Sequence, residues 1–422
     1  MHSVEELRML YIDPGTGSML FTILIAVLGS LVYLLRNLKL KVGAFLKRDR
    51  KAEGAAEVTP LVIFSDHKRY WTTFAPICEE LERRKQPVLY LTESADDPVF
   101  TQHFTYIRSE CIGEGNSAYA RLNFLRARVV LSTTPSLDVY QWKRSRDVEW
   151  YVHIPHAPND ITLYRMFGID YYDAILLSGE YQIEQVRQLE KLRELKAKEL
   201  RLVGIPYMDE MKKRLAASEN VGTERTRTVL LAPSWGDSAI LKRYGSAMLD
   251  ALLKTGYHVI IRPHPQSYTS EKEMLDGLMD AYPDSAQLEW NRDNDNFEVL
   301  SRSDILISDF SGVIFDFTLV FDKPVLYADT SFDRGPYDCW WLKDELWTFQ
   351  ILPKLGMHIT EESLSSLKNV IDECIGNPAY QEARDQARKE TWCHIGEGAS
   401  RTVDYLVEKL GSQESTQKEK TE

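Results

Sequence analysis

The chain has 422 residues, of which 44% are hydrophobic and 27% charged, the composition of a globular protein large enough for two domains. Its formal net charge is −12, and a protein that binds DNA or RNA needs a basic face, so the charge argues against nucleic acid as a partner. The five cysteines are widely spaced and show neither the CxxC spacing of a zinc site nor a disulfide framework, which favours reduced thiols in a cytoplasmic protein.

An uncharged apolar run at residues 18–35 is just long enough to cross a bilayer as a helix. Basic residues follow the run closely, whereas acidic residues prevail before it. The positive-inside rule therefore predicts an extracytoplasmic segment at 1–17, a transmembrane helix at 18–35 and a basic juxtamembrane linker at 36–58. This order also argues against a cleaved signal peptide, which has its basic residues first. We expect a single-pass protein of the cytoplasmic membrane, with its catalytic part in the cytoplasm at the inner membrane leaflet.

Short apolar runs alternate with amphipathic ones from residue 59 onward. This alternation is typical of a parallel sheet that helices cover on both faces. We predict a Rossmann-like domain over 59–215, with helices at 74–84 and 181–199. Its strands are predicted at 61–64, 88–91, 128–131, 149–152 and 174–177.

A second alternation follows a polar linker at 216–227. It predicts another Rossmann-like domain over 228–411, with a disordered tail at 412–422 because that segment lacks apolar residues. Two α/β domains of this kind face each other across a cleft, which is a usual place for a ligand. Strands are predicted at 228–233, 258–263, 304–308 and 324–328, and helices at 239–255, 271–281 and 313–321.

The segment DILISDFSGVIFD at 304–316 combines a strand end with the start of a helix. Ser311 is predicted to cap that helix, and Gly312 to let the backbone approach a ligand. Free amides at a helix start bind anions, so this turn is a candidate site for a diphosphate, with Ser308 and Asp309 beside it. The alternative is that Ser311 only caps the helix and Asp309 is an ordinary turn residue.

A histidine between two prolines, in Arg262-Pro263-His264-Pro265, directly follows another predicted strand. The prolines fix the backbone on both sides of the histidine. His264 can then donate to a phosphate oxygen, or stabilise a leaving nucleotide as a cation. Arg262 is included among the candidate donor ligands.

The third candidate region is HIPHAPND at 153–160, which follows the predicted strand at 149–152. Its two histidines lack the helical spacing of a metal-binding pair, so a general base is the better hypothesis than a metal site. Either His153 or His156 can serve as that base, and a structural role for each stays open. Ser234 in the loop 232–236 and Arg334 in the segment 333–338 are further candidate donor ligands.

Five segments, in order and with similar spacing, resemble the CDP-glycerol glycerophosphotransferase family, which includes the teichoic acid primases and polymerases. The segment ISDFSGVIFDFTLVFDKPVLY at 307–327 is similar to that family's SDYSSxxFDxxxxxKPxxxY pattern. The other four are GIPYMD at 204–209, APSW at 232–235, RPHP at 262–265 and GEGASRTVDYL at 396–406. The family's double serine is replaced here by Ser311-Gly312, and its His-Gly-Thr-Pro motif by the histidines of 153–156.

The resemblance implies a GT-B-like fold and a transferase that moves glycerol phosphate from CDP-glycerol to a hydroxyl acceptor, releasing CMP. The acceptor expected is lipid-linked or a polymer of the bacterial cell envelope. It also implies that His264, Ser308, Asp309 and Ser311 contact the donor diphosphate, and that the base is His156, which small Ala157 and then Pro158 follow. The motifs require no cofactor, and whether a metal takes part is open.

Two other functions fit the same sequence. A GT-B glycosyltransferase or epimerase with a UDP-sugar has the same fold. A non-catalytic membrane scaffold that keeps the fold is the alternative from another class, although all three candidate regions retain reactive side chains.

Overall fold

The computed structural model describes Ser30 and residues 58–218, 226–293, 295–328, 332–335 and 339–421, with side chains as far as residue 411. The chain divides into two units, residues 1–58 and residues 59–422, and both predicted α/β domains belong to the second unit. Apart from Ser30, the predicted transmembrane helix at 18–35 lies outside the described residues, and so does most of the linker at 216–227. In the part of the chain that is described, no helix is long and apolar enough to cross a membrane.

The first sheet consists of parallel strands only. Its strands are β1 (Thr59–Ser65), β2 (Val88–Thr92), β3 (Ile107–Cys111), β4 (Ala127–Ser132), β5 (Val148–His153), β6 (Ala174–Leu177) and β7 (Glu199–Leu202). They lie in the order β3-β2-β1-β4-β5-β6-β7, so the strand order reverses between β1 and β4. The helices of this part of the chain are α1 (Trp71–Arg83), α2 (Asn116–Asn123), α3 (Glu180–Leu192) and α4 (Pro206–Ala217).

The second sheet is also parallel and has a related strand order. Its strands are β8 (Thr228–Leu231), β9 (His258–Ile261), β10 (Leu288–Trp290), β11 (Ile305–Ser308), β12 (Val325–Ala328) and β13 (Gly356–Ile359). They lie in the order β10-β9-β8-β11-β12-β13, with the reversal between β8 and β11. The remaining helices are α5 (Ile240–Lys254), α6 (Ser267–Ser270), α7 (Lys272–Ala281), α8 (Phe297–Arg302), α9 (Val313–Phe315), α10 (Trp347–Leu355), α11 (Leu367–Gly376), α12 (Ala379–Thr391) and α13 (Gly398–Thr421).

The two Rossmann-like parallel sheets confirm the predicted α/β class and every predicted strand. Four further strands were not predicted, and all of them are outermost in their sheets: β3, β7, β10 and β13. An edge strand has one neighbour only, so its sequence needs no continuous apolar run. The strand β7, with the sequence ELRL, illustrates this, since none of its residues is fully buried.

Two predicted helices are shorter than expected. The helix predicted at 181–199 ends at Leu192, because Glu194 takes a left-handed backbone conformation (φ 52°) and the chain turns back into β7. The helix predicted at 313–321 keeps α geometry only in Val313–Phe315 and continues as a wider π-helical turn at Asp316–Val320.

The helices α4 and α13 each contribute to the core of the other predicted domain. Met208 and Met211 of α4 pack into a core that belongs to the second sheet. Conversely, α13 places Val403 and Leu406 in the core of the first sheet. The last helix of the predicted domain 228–411 therefore packs on the first sheet. The same helix continues to Thr421, through the segment that was predicted to be a disordered tail.

Candidate functional site

The carboxyl end of β11 is organised by buried side chains. The Ser308 hydroxyl donates to the Ala232 carbonyl oxygen at 2.6 Å, which ties β11 to the end of β8. The Asp309 carboxylate accepts hydrogen bonds from the amides of Ser234 (2.9 Å), Ile240 (3.0 Å) and Phe310 (2.7 Å). Burial raises the pKa of Asp309, and these amides oppose that rise by stabilising the carboxylate.

Three residues predicted to bind the donor thus lie behind the site rather than in it. Ser308 and Asp309 are 0% exposed, so neither is available to a ligand in this conformation. Ser234 is 7% exposed, and its amide points at Asp309. Their contacts fix the loop between β8 and α5, which borders the strand reversal of the second sheet.

The following turn presents its backbone to the surface. Ser311 and Gly312 are partly exposed, and the helix begins at Val313. The prediction that Ser311 caps the helix is wrong, because Gly312 occupies the cap position and no side chain caps the helix. The first helical amides bond instead to the preceding carbonyls, with Ile314 donating to Ser311 and Phe315 to Gly312.

His264 follows β9 with a defined tautomer. Its Nδ1 accepts a hydrogen bond from the Gln266 amide at 3.1 Å, so in the neutral ring the proton is on Nε2. The indole of Trp235 lies 6.4 Å away between ring centroids. Burial, and to a lesser degree the charge of Arg69, lower the pKa of His264 to about 4. His264 is therefore a neutral hydrogen-bond donor at the edge of the second sheet.

The structure separates the two histidines of the segment 153–160. His153 is 0% exposed, and its Nε2 lies 3.0 Å from the Tyr164 hydroxyl. Its ring packs against Tyr172 as well, and burial lowers its pKa to about 3. His156 is only partly buried, and its ring packs against Tyr70 at 5.1 Å between centroids. Of the two, His156 is the more exposed.

Asp160 holds the end of this loop against the second sheet's domain. Its carboxylate accepts from the amides of Trp347 and Thr348, each at 2.9 Å, at the start of α10. The Thr348 hydroxyl donates to the same carboxylate at 2.5 Å, and Gln185 of α3 at 2.7 Å. A carboxylate at a helix start is favoured by the exposed amides and by the helix dipole. Asp160 therefore joins the two halves of the compact unit.

The same loop brings the first sheet's histidine to the turn after β11. A Cβ placed on Gly312 would lie 3.4 Å from Asn159 Oδ1 and 3.7 Å from Ala157 Cβ. Ala157, the residue after His156, thus lies beside the turn after β11, with space for about one methyl group between them. The regions around His156 and Gly312, predicted separately, therefore lie next to each other in the structure.

Arg69 and Tyr70 are site residues that the sequence analysis missed. They lie in a short turn directly after β1, where the strand order of the first sheet reverses. The Arg69 charge contributes to the lowered pKa of both His156 and His264, so it lies within electrostatic range of both rings. A basic-aromatic pair directly after the first predicted strand was the available signal, because ligands of such sheets bind at the strand reversal.

Two predicted phosphate ligands are engaged elsewhere. Arg262 donates to Asn291 Oδ1 at 2.5 Å, beside β10. The Arg334 guanidinium donates to the backbone carbonyls of Leu342 and Asp344, where it closes a loop. Neither prediction gains support from these contacts.

Several residues of the family-like motifs hold the scaffold together. Asp209 accepts from the amides of Gly396 (2.6 Å) and Gly398 (2.8 Å), so the segments GIPYMD and GEGAS dock on each other. The Tyr207 hydroxyl donates to Asp316 at 2.7 Å, and burial raises the pKa of Asp316 to about 6. In the residues that the structure describes, no group of three or more His, Cys, Asp or Glu side chains is arranged to hold a metal ion.

Two parallel-sheet domains that meet at the carboxyl ends of their strands define a GT-B-like protein. Solved structures share this fold. The wall teichoic acid polymerase TagF matches with a TM-score of 0.56 and 18% identity, over 91% of this chain and 98% of that protein. The UDP-GlcNAc 2-epimerase of Methanocaldococcus jannaschii also matches with a TM-score of 0.56, at 12% identity, over 83% of this chain and 99% of the epimerase.

The sequence identifies the family within this fold. The family model for CDP-Glycerol:Poly(glycerophosphate) glycerophosphotransferases matches residues 169–408, more than half of the chain, and the chain belongs to that family. The teichoic acid glycerol-phosphate primase of Bacillus subtilis (strain 168) is 27% identical over 165 residues, which cover 37% of this chain and 39% of the primase. The similarity thus spans less than half the length of that relative.

Proposed function

We propose that this protein transfers glycerol phosphate from CDP-glycerol to a hydroxyl acceptor. The observation that carries the proposal is the contact of Ala157 and Asn159 with the position of Gly312. Because Ala157 directly follows His156, this proximity supports a site that combines His156, from the loop after β5, with the turn after β11. Membership of the CDP-glycerol:poly(glycerophosphate) glycerophosphotransferase family supports the identity of the donor.

In the proposed reaction, the acceptor hydroxyl oxygen attacks the phosphorus that bears the glycerol. The bond from that phosphorus to the bridging oxygen of the diphosphate breaks, and CMP leaves with the electron pair of that bond. His156 takes the hydroxyl proton as the general base. A new phosphodiester joins the glycerol to the acceptor.

His264 and the turn after β11 have the complementary task of holding the diphosphate. The Nε2–H of neutral His264 can donate to a phosphate oxygen, because Nδ1 is already engaged by Gln266. Exposed backbone at Ser311 and Gly312 lets the diphosphate approach without a side chain between them. The proposed donor ligands are therefore His264, Ser311 and Gly312, while Ser308, Asp309 and Ser234 position them.

A lipid-linked acceptor at the inner membrane leaflet is part of the proposal. The apolar run at 18–35, with its basic flank, supports an anchor that holds the cleft close to such an acceptor. Tethering raises the effective concentration of a membrane-bound acceptor around the cleft.

The test is to incubate the membrane-associated full-length protein with CDP-glycerol labelled in its glycerol and with lipid extract. We expect label in the lipid fraction and release of CMP, and neither with the variant His156→Ala. The transfer reaction would be refuted if no acceptor became labelled and no CMP were released.

A UDP-sugar enzyme is the second candidate, because the epimerase structure is as similar in fold as the polymerase structure. Fold alone does not separate the two donors. A melting assay does, since a ligand raises the midpoint only if the native protein binds it. We expect CDP-glycerol to raise the midpoint and UDP-sugars to leave it unchanged; the reverse result would favour the second candidate.

A further inference from the structure

The turn Asp66–Tyr70 lies at the carboxyl end of β1, and β1 adjoins β4 at the strand reversal of the first sheet. A crevice opens at such a reversal because the connections on either side lead to opposite faces of the sheet. The turn therefore occupies the place of the first sheet where a ligand is expected. Three of its five residues are basic or can become so: His67, Lys68 and Arg69.

The two neighbouring cations of this turn have different surroundings. Lys68 forms an ion pair with Asp96. The guanidinium of Arg69 lies over the Tyr70 ring, 4.9 Å from its centroid, and the side chain is exposed. In the part of the chain that the structure describes, no carboxylate forms an ion pair with Arg69. A guanidinium that is exposed and supported by an aromatic ring has its donors available for an anion.

The position of Arg69 relative to the two site histidines follows from a chain of contacts. The Tyr70 ring that carries the guanidinium also packs on His156, at 5.1 Å between centroids. The charge of Arg69 also contributes, after burial, to the lowered pKa of His264. The contacts therefore bring the guanidinium close to His156, and its charge acts on His264 as well.

We propose that Arg69 is a phosphate-binding residue of the transfer site, contributed by the first domain, and that its guanidinium binds the oxygens of a phosphoryl group held between His156 and His264. The inference rests on the proposed function and adds a residue to its site. The ligand chemistry is a phosphate oxyanion, which either the donor diphosphate or a phosphodiester at the end of the acceptor can supply.

Such a residue couples substrate binding to the protonation of the base. Burial and the Arg69 charge both disfavour the imidazolium form of His156, whose pKa they lower to about 4. The other titratable groups near His156 are Tyr70, on the turn after β1, and His153, at the end of β5. For His264, Arg69 is the charged group that contributes to the lowered pKa. A bound phosphate offsets the guanidinium charge, so His156 becomes a stronger base when the substrate is present.

The first test needs no turnover and uses inorganic pyrophosphate as the probe. We expect pyrophosphate to raise the melting midpoint of the full-length protein and of Lys68→Gln, and Arg69→Gln to lose more than half of that shift. In NMR titrations of the ligand-free protein, Arg69→Gln should move the pKa of His156 and His264 upward, whereas Lys68→Gln should not. Both substitutions are on the surface, and removing an exposed ion pair such as Lys68–Asp96 costs little stability.

The second test identifies the phosphate by steady-state kinetics. If Arg69 binds the donor diphosphate, Arg69→Gln should raise KM for CDP-glycerol at least about tenfold, the cost of losing a charge-assisted hydrogen bond. If it binds the acceptor phosphodiester, the same increase should appear in KM for the acceptor. Arg69→Lys should restore part of either loss, since a point charge lacks the planar fork of a guanidinium.

Two outcomes overturn the inference: an unchanged pyrophosphate shift in Arg69→Gln, or equal histidine pKa values in Arg69→Gln and Lys68→Gln. A different pattern would overturn the proposed function alone. In that pattern, pyrophosphate binds through Arg69 and the histidine pKa values respond, yet the unaltered protein transfers nothing from CDP-glycerol. The two failures are therefore distinguishable.

Discussion

The two loops that meet in the cleft use their polar side chains in opposite ways. The loop after β5 directs His156 to the cleft surface and Asp160 to the start of α10. The turn after β11 directs Ser308 and Asp309 inward, where they hold the backbone of neighbouring segments. In the proposed site, one loop therefore offers a side chain to the substrate, and the other offers its backbone. Substitutions in the first should affect the reaction, and substitutions in the second should affect stability.

The largest expected effect tests the first loop. His156→Ala removes the proposed base, and general-base catalysis is worth about 10² to 10⁴ in rate, so we expect kcat to fall by about 10³. Donor binding should persist, as measured by the CDP-glycerol shift of the melting midpoint. His153→Phe is the matched control, because His153 contacts Tyr164 and Tyr172 rather than the cleft. Equal losses of kcat at matched stability in both variants would contradict the assignment of the base.

The second prediction addresses the turn after β11. Asp309→Asn replaces a carboxylate that accepts from three amides, and at least one of those buried donors loses its partner. We expect the free energy of unfolding to fall by about 2 to 3 kcal/mol, measured by urea denaturation. The folded fraction should keep its KM for CDP-glycerol within about twofold if the side chain only positions the turn. A large increase in KM without loss of stability would show that Asp309 contacts the donor.

The third prediction concerns the exposed backbone of the same turn. Gly312 has no left-handed φ to preserve, and an added Cβ would make ordinary contacts with Asn159 and Ala157. Gly312→Ala should therefore leave the free energy of unfolding within about 0.5 kcal/mol. The methyl group would occupy the space proposed for the diphosphate, so KM for CDP-glycerol should rise by about tenfold, the equivalent of 1.4 kcal/mol. Unchanged binding would argue against a close approach of the ligand here.

The smallest effect is expected in the pH profile of kcat/KM. Burial lowers the pKa of His156 and His264 to about 4, so both remain neutral well below the ordinary value of 6.5. A base acts in its neutral form, and kcat/KM reports the free enzyme. We expect kcat/KM to stay constant as the pH falls from about 7, and to decline only as it approaches about 4. A decline centred on the ordinary histidine pKa, at unchanged circular dichroism, would contradict these protonation states.

The central part of the fold was predictable, and the edges were not. Continuous apolar runs identify the interior strands of both sheets, since burial on two faces demands them. The edge strands β3, β7, β10 and β13 escape that pattern because water or a loop covers one side of each. The sequence also could not predict which domain α4 and α13 belong to. Both helices are amphipathic, and an amphipathic pattern does not indicate which of two sheets a helix covers.

At the site, the sequence identified the loops better than the roles of their residues. His264 and the region of His156 were correctly placed at strand ends, since a strand and its turn can be recognised locally. Whether Ser308 and Asp309 face inward or outward depends on the neighbouring strand β8, which is remote in sequence. Arg69 was missed because its importance comes from two histidines that lie 87 and 195 positions further along the chain.

The return of α13 to the first sheet has a consequence for synthesis. A ribosome completes β1 to β7 long before it reaches residue 398, so the part of the first sheet's core that Val403, Tyr405 and Leu406 occupy stays incomplete until those residues have been synthesised. Domains usually fold in the order of their synthesis, from the amino terminus. Here the core of the first domain is completed by α13, so a chain that stopped between α12 and α13 would contain both sheets but lack that part of the first domain's core.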